Sequence, residues 1–162
     1  MAPTASNPDR DALIACAIPF LEQVKDMTAG TEVEQWLNRE HGPGSAVYQA
    51  LAELVTRGVR DGWAAHVELD GPVYRRSRIA EPSQQTLHFS ITAVYMDSRG
   101  NRQGNPEGAY RGQYHAHPYG EFNMVVPLAP DAALNGPNGW CAGGWTAPAP
   151  GSHHYPESKG GP

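Results

Sequence analysis

Positive charge is scarce in this chain: lysine and arginine number 12 against 17 aspartates and glutamates, a formal net charge of -5 in 162 residues. No basic run occurs, and the sequence pI is near 5.7. Both facts argue against a nucleic-acid or anionic-membrane surface. Long apolar stretches are also lacking. The longest, Ala12 to Leu21, carries Cys16 and Pro19 and follows Asp9-Arg-Asp11. It is too short to span a bilayer and lacks the basic region and cleavage site of a signal peptide, so the expected compartment is the cytoplasm. Only two cysteines occur, Cys16 and Cys141. Their wide separation predicts reduced thiols rather than a disulfide framework. Cys141 lies in Asn138-Gly-Trp-Cys-Ala-Gly-Gly-Trp145, where a nucleophile, a soft ligand and an inert buried thiol are all open readings. No internal repeat is present, and a chain of this length buries about 70% of its extended surface in one core.

The first third reads as helix. Residues 1–8 are expected to be a flexible lead-in. From Asp9 to about Met27, Leu13, Ala17, Phe20, Leu21 and Val24 recur at helical spacing, with Pro19 as a kink site. Thr31-Glu-Val-Glu34 has the form of a capping box, with Thr31 as N-cap of a second helix ending near Gly42-Pro43-Gly44. Ser45 caps a third, which carries the stripe Val47, Leu51, Leu54, Val55 and Val59 and stops at Gly62.

After Trp63 the period changes to that of strands. His66 to Asp70, Val73 to Ile79 and Leu87 to Met96 alternate or cluster β-branched and aromatic residues between turn signals. Asp97 to Pro106 is a polar loop, Gly112 to Leu128 holds two strands around Pro118-Tyr-Gly120, and the last third is loop-rich. The expected fold is therefore mainly β, an antiparallel β barrel or sandwich over 63–162 with a segment of about three helices, 9–62, packed against it.

Gly112-Gln-Tyr-His115-Ala-His117-Pro-Tyr-Gly-Glu121, with Gly151-Ser-His153-His154 further on, supplies a ligand set for a metal ion. Side chains two apart on a strand share a face, so His115 and His117 can grip one ion, and the Pro-Tyr-Gly bend can return Glu121 to it. A further ligand has to come from His153 or His154, of which a strand aims only one inward. Imidazole and carboxylate suit Mn, Fe, Ni, Cu or Zn and can leave positions open for a substrate. The ordinary alternatives are surface histidines and a solvated carboxylate.

These residues resemble the two cupin motifs: His-x-His with a following Glu is similar to the first, and Gly151-Ser-His153-His154 to the second. In that register His154 matches the last ligand, and the unused His153 is a candidate acid/base. The departures are an early glycine at Gly112, Ala149 where the second motif has proline, and Ser158 where it ends in asparagine. The likeness implies a cupin-like barrel that commonly pairs as a homodimer. Such a barrel ordinarily has another strand after its final histidine. Only eight residues follow His154, so either the chain is truncated or the barrel closes differently.

A more specific likeness covers most of the chain. His115-Ala-His-Pro-Tyr-Gly-Glu-Phe-Asn-Met-Val-Val-Pro-Leu128 and the segment from Gly136 to Pro156 look like the 4-hydroxylaminobenzoate lyase family. The resemblance implies an enzyme converting 4-hydroxylaminobenzoate to 3,4-dihydroxybenzoate and ammonia in 4-nitrobenzoate breakdown, with a small aromatic carboxylate as substrate. A divalent transition ion would suffice, without an organic cofactor. Glu121 and His153 are then the candidate catalytic groups. Arg76 or Arg78 could clamp the substrate carboxylate, and Trp145 could wall its ring, although each of these also fits a solvated strand or a plain core. Another metal-dependent cupin enzyme, such as a dioxygenase, and a non-enzymatic ligand-binding cupin are the competing readings.

Overall fold

A computed structural model describes residues 6–100 and 108–162. Positions 1–5 of the expected lead-in and 101–107 of the polar loop and its continuation lie outside the described residues. Helix α1 (Pro8–Val24) opens on Asn7, whose side chain accepts from the amides of Asp9 and Arg10 at 3.1 and 3.2 Å. The helix thus begins one residue before Asp9, and Asp9 and Asp11 in its first turn favour the helix dipole. The helix continues through Pro19.

Helix α2 (Thr31–Glu40) departs from its expected start. Gly30 is the N-cap with no side-chain bond, and Glu34 does not curl back to close a capping box. Its carboxylate has a better use far along the chain, as shown below. Helix α3 (Ala46–Asp61) follows the sequence reading: Ser45 Oγ accepts from the amide of Tyr48, and Gly62 closes the helix at φ +85°, a conformation glycine adopts freely.

Among the described residues the rest is β structure: β1 (Val67–Asp70), β2 (Tyr74–Ala80), β3 (Ile91–Met96), β4 (Tyr110–Arg111), β5 (His115–His117), β6 (Asn123–Val125), β7 (Ala133–Gly136), β8 (Gly139–Cys141), β9 (Gly144–Thr146), β10 (Ser152–His154) and β11 (Glu157–Lys159). They form four antiparallel sheets, ordered β1-β2-β3, β10-β5, β4-β11-β7-β8 and β6-β9. The architecture is mainly β behind an N-terminal helical segment, as expected. The strand anticipated from Leu87 begins only at Ile91. Ser83 and Thr86 exchange side-chain-to-amide bonds at 3.0 and 3.3 Å, and Leu87 and His88 take φ of +53° and +66°. Such local bonding draws the backbone away from a ladder. A strand does follow the final histidine: β11 pairs with both β4 and β7.

Two apolar clusters hold the layers together. Leu13 and Ala17 of α1 and Leu51 of α3 pack with Ile79 and Ala93 on one face of the β1-β2-β3 sheet. Phe20, Leu21 and Val24 of α1 pack with Leu37 of α2, Trp145 of β9 and Ala147. Val24 and Leu37 are fully enclosed, and burying each contributes about 1.5–3 kcal/mol. The opposite face of the first sheet carries Tyr74, Arg76 and Arg78. Tyr74 is buried there against the backbone of Gly112, where a Cβ would stand 3.1 Å from its Cε1 and 2.9 Å from Pro156 Cγ. Helices therefore cover the back of this sheet, and the segments flanking β5 and β10 cover part of its front.

Candidate metal centre

The ribbon β5-β10 decides which histidines meet. Its register pairs His115 with His154 and His117 with Ser152. Directly paired residues of an antiparallel ladder share a face, as do residues two apart on one strand. His115, His117 and His154 consequently converge, and one ligand atom from each lies within 4.8 Å of the others. His115 Nε2 is 2.8 Å from His117 Nε2 and 3.2 Å from His154 Nε2. His153 pairs with Ala116 and faces the other way, exposed, with Nδ1 hydrogen-bonded to the Tyr114 hydroxyl.

Hydrogen bonds behind the rings set their tautomers. Ser152 Oγ donates its proton to the Ala149 carbonyl at 2.6 Å, so toward His117 Nδ1, 3.2 Å away, it can only accept. His117 Nδ1 therefore carries a hydrogen. His115 Nδ1 lies 3.3 Å from the Gln113 carbonyl and donates in the same way. These bonds leave the Nε2 lone pairs of His115 and His117 aimed at a common point, which is the arrangement a cation requires of imidazoles. Burial lowers the pKa of His117, and the neighbouring His115 lowers it further while Glu121 opposes. Burial likewise lowers His154, with His115 and His117 adding to it. Both effects favour the neutral, ligating form.

Glu121 stands at the rim. Its Oε2 is 3.4 Å from His117 Nε2, and the side chain is 47% exposed, so it is close enough to complete a three-His, one-Glu set with a small rotation. The bend that brings it there depends on Gly120, at φ +75°. A Cβ at that position would press within 2.9 Å of Ala29 Cβ and 3.1 Å of the Pro148 carbonyl. The donor set suits a first-row divalent ion of the Mn to Zn series.

The remaining sequence candidates separate. Arg76 and Arg78 are exposed on the front face of β2, and Arg78 is held by Glu81 at 2.6 Å. Trp145 is core, 4% exposed, with its ring stacked 4.7 Å from Phe20 and its indole N–H donating to the His41 carbonyl at 2.7 Å. Phe20 takes one face of its ring. Cys141 is half-buried, and burial raises its thiol pKa, so it is a poor nucleophile.

Sequence reasoning missed a brace behind this centre. Asn38 donates to the Trp145 carbonyl and accepts from the Trp145 amide, at 2.9 and 2.8 Å. Glu34 accepts from the amide of Ala147 at 3.0 Å and from Asn138 Nδ2 at 2.5 Å. Together they tie β9 to α2, and β9 pairs with β6, which starts two residues after Glu121. Gly144 makes room for this: it sits at φ +124°, and a Cβ there would collide with Asn38 Oδ1. Ser152, in the Gly-Ser-His-His motif, is the one partner a sequence reader could have marked.

Comparison with known proteins finds a family and relatives for this chain. The family model described as PnbB: 4-hydroxylaminobenzoate lyase matches residues 15–162. A 4-hydroxylaminobenzoate lyase of Nocardioides sp. (strain LMS-CY) is 61% identical over 149 residues, 92% of this chain and 83% of its own. A 4-hydroxylaminobenzoate lyase of Pseudomonas putida is 57% identical over 152 residues, 94% of this chain and 86% of its own. No solved structure matches the chain. With the family model running from within α1 through the histidine ribbon, and these relatives covering more than nine-tenths of the chain, the chain belongs to the 4-hydroxylaminobenzoate lyase family.

Proposed function

We propose that this protein is a 4-hydroxylaminobenzoate lyase that releases ammonia and 3,4-dihydroxybenzoate, using a divalent transition ion held by His115, His117, His154 and Glu121. The observation that carries the metal reading is the convergence of three histidines whose backing bonds direct Nε2 atoms inward. In aryl-nitrogen terms the conversion consumes one water: hydroxide leaves nitrogen, water adds at the adjacent ring carbon, and a second water replaces nitrogen as ammonia. The first two events cancel, so no external oxidant or reductant enters.

A bound ion would supply Lewis acidity toward the hydroxylamine oxygen and lower the pKa of a coordinated water. The chain's own part is positional and protonic. The ribbon fixes three imidazoles on one face. Released from the ion, Glu121, exposed at the rim beside His117, would take the proton of an incoming water and pass it to the departing nitrogen. His153 is on the opposite face and is left out of the proton path. Arg76 supplies positive charge on the front face of the neighbouring sheet, where Arg78 is neutralised by Glu81. Among the described residues no helix is long and apolar enough to cross a membrane, and the proposed site of action is the cytoplasm, where an intracellular aromatic acid would be met.

The test is anaerobic incubation of metal-quantified protein with 4-hydroxylaminobenzoate, following ammonia and 3,4-dihydroxybenzoate, with His115→Ala alongside. Equimolar formation of both products, lost in the variant, is the expected result. A folded, metal-loaded protein that forms neither product refutes the lyase reading, and oxygen uptake with a catechol would point to a dioxygenase instead.

A further inference from the structure

Six described arginines, Arg39, Arg57, Arg60, Arg78, Arg99 and Arg111, each have a carboxylate within ion-pair distance. Arg75 lies over the Tyr95 ring at 4.2 Å. Arg76 and, on helix α1, Arg10 have neither kind of partner among the described residues, and of the two only Arg76 lies on a strand. In a chain with 17 acidic and 12 basic residues, an unmatched guanidinium on a strand is unusual, and its surroundings explain it. The nearby carboxylates are engaged elsewhere: Asp70 accepts from the Tyr110 hydroxyl at 2.7 Å, Glu81 holds Arg78 and Glu121 lies by His117.

Arg76 lies on the sheet face that meets the segments flanking the metal centre. The register of β2 with β3 is regular from Tyr74 to Arg78, so Arg76 shares the face of Tyr74. Tyr74 on that face packs on Gly112, three residues before His115, and beside Pro156, two residues after His154. Electrostatics agree: burial raises the Tyr74 pKa, the Arg76 charge lowers it, and the Glu121 charge raises it, so one hydroxyl senses both ends of the same space. On either side of Arg76 its ladder partners are Val67 and Val94, half-exposed at 49% and 52%. Cross-strand partners share a face, so the guanidinium rises between two bare aliphatic side chains.

We infer that Arg76 is the residue that binds the carboxylate of an aromatic acid, with Val67 and Val94 as the apolar walls against its ring, and that this pair of features selects benzoates over uncharged arylhydroxylamines. The inference rests on the lyase reading for its substrate class. A para-substituted benzoate is rigid, with its carboxylate and its nitrogen at opposite ends. A site for it needs an anion clamp at one pole and the reacting centre at the other, and apolar surface between them. A guanidinium gives the carboxylate a bidentate partner, and a lysine would not. Arg78 shares the face, but its charge is already matched.

The experiment measures binding of the unreactive pair 4-aminobenzoate and aniline to metal-loaded protein by calorimetry, together with turnover of 4-hydroxylaminobenzoate and phenylhydroxylamine. Arg76→Met should weaken 4-aminobenzoate binding and raise KM for 4-hydroxylaminobenzoate by about 30-fold or more. Its kcat, its metal content and its handling of aniline and phenylhydroxylamine should change little. Arg78→Met should behave as wild type, and Arg76→Lys should recover part of the loss. An equal loss on charged and uncharged compounds would reduce Arg76 to a structural role and overturn the inference, as would a loss seen in Arg78→Met in place of Arg76→Met. Wild-type protein that turns over neither hydroxylamine but binds 4-aminobenzoate through Arg76 would refute the lyase reading and leave the carboxylate site standing. Wild-type protein that binds 4-aminobenzoate no better than aniline would refute the site itself.

Discussion

The α2-β9 junction and the β5-β10 ribbon are joined by short stretches of chain, yet they are held by different means. At the junction, Trp145 and Leu37 are buried in an apolar cluster, and Asn38 and Glu34 make four hydrogen bonds, two to Trp145 of β9, one to the amide of Ala147 and one to the Asn138 side chain. The ribbon is three residues wide on each strand, most of its side chains are partly or fully exposed, and its inward face consists of imidazoles. One region is stable through burial and saturation of its polar atoms. The other has little apolar surface to bury, and its inward face carries three imidazoles that could hold a cation. Stability and chemistry are thereby divided between two parts of the same β layer, with β6 as the link.

Replacing a ribbon histidine should show the division most clearly. His154→Ala is expected to lower activity at least about 100-fold, since even outer-shell changes at metal sites cost 10–100-fold. Elemental analysis should show the ion lost while far-UV circular dichroism and the unfolding midpoint match those of metal-free wild type. A fold that collapses with His154→Ala would erase the distinction.

Asn38→Ala should do the reverse. It strands the buried amide and carbonyl of Trp145, an expected loss of about 3 kcal/mol, or roughly 6–12 °C in the thermal midpoint. Activity per folded molecule and metal content should be nearly unchanged. Gly144→Ala should follow the same pattern, because its added methyl meets Asn38.

Removing the ion sharpens the comparison further. Chelation should abolish hydrogen-exchange protection in β5 and β10 first, while amides of α2 and β9 keep theirs. Re-addition should raise the thermal midpoint in proportion to the logarithm of metal concentration, about 2.7 kcal/mol at a hundred times the dissociation constant. Uniform loss of protection across both regions would mean that they unfold as one.

Two smaller changes complete the series. Ser152→Ala removes the acceptor that orients His117 and should weaken metal affinity about 10-fold. His153→Ala, on the outer face, should alter activity less than about twofold and stability by about 0.5 kcal/mol or less.

Much of the helical segment was legible because its signals are local. Ser45, Gly62 and the apolar stripes state their roles within a turn or two of chain. The histidine and glutamate candidates were legible for the same reason, since strand alternation places His115 with His117 without any knowledge of the rest. The choice between His153 and His154 could not be made locally, because it depends on the pairing of strands 35 to 39 residues apart. Glu34 misled for a more general reason. Thr-x-x-Glu looks the same whether the glutamate bonds its own helix start or an amide 113 residues away, and only the tertiary partner decides. Trp145 was ambiguous because a tryptophan near a site can line it or support it. Here Phe20 and the His41 carbonyl claim its ring and its N–H. The strand reading from Leu87 failed where hydroxyl side chains at 83 and 86 offered the backbone a turn.

The adjacent histidines of β10 have a consequence for how this site tolerates change in its own gene. Because side chains alternate, adding or removing one residue in the loop before β10 would invert the facing of every residue in that strand and would ordinarily erase a ligand. In this ribbon an added residue brings His153 opposite His115, a removed one brings it opposite His117, and an imidazole still faces the site in either case. The Ser152 support of His117 would be lost, so the altered site would be weaker but still a three-histidine site. The doublet therefore gives the lineage room to vary the length of a proline-rich loop that would otherwise be fixed to the residue.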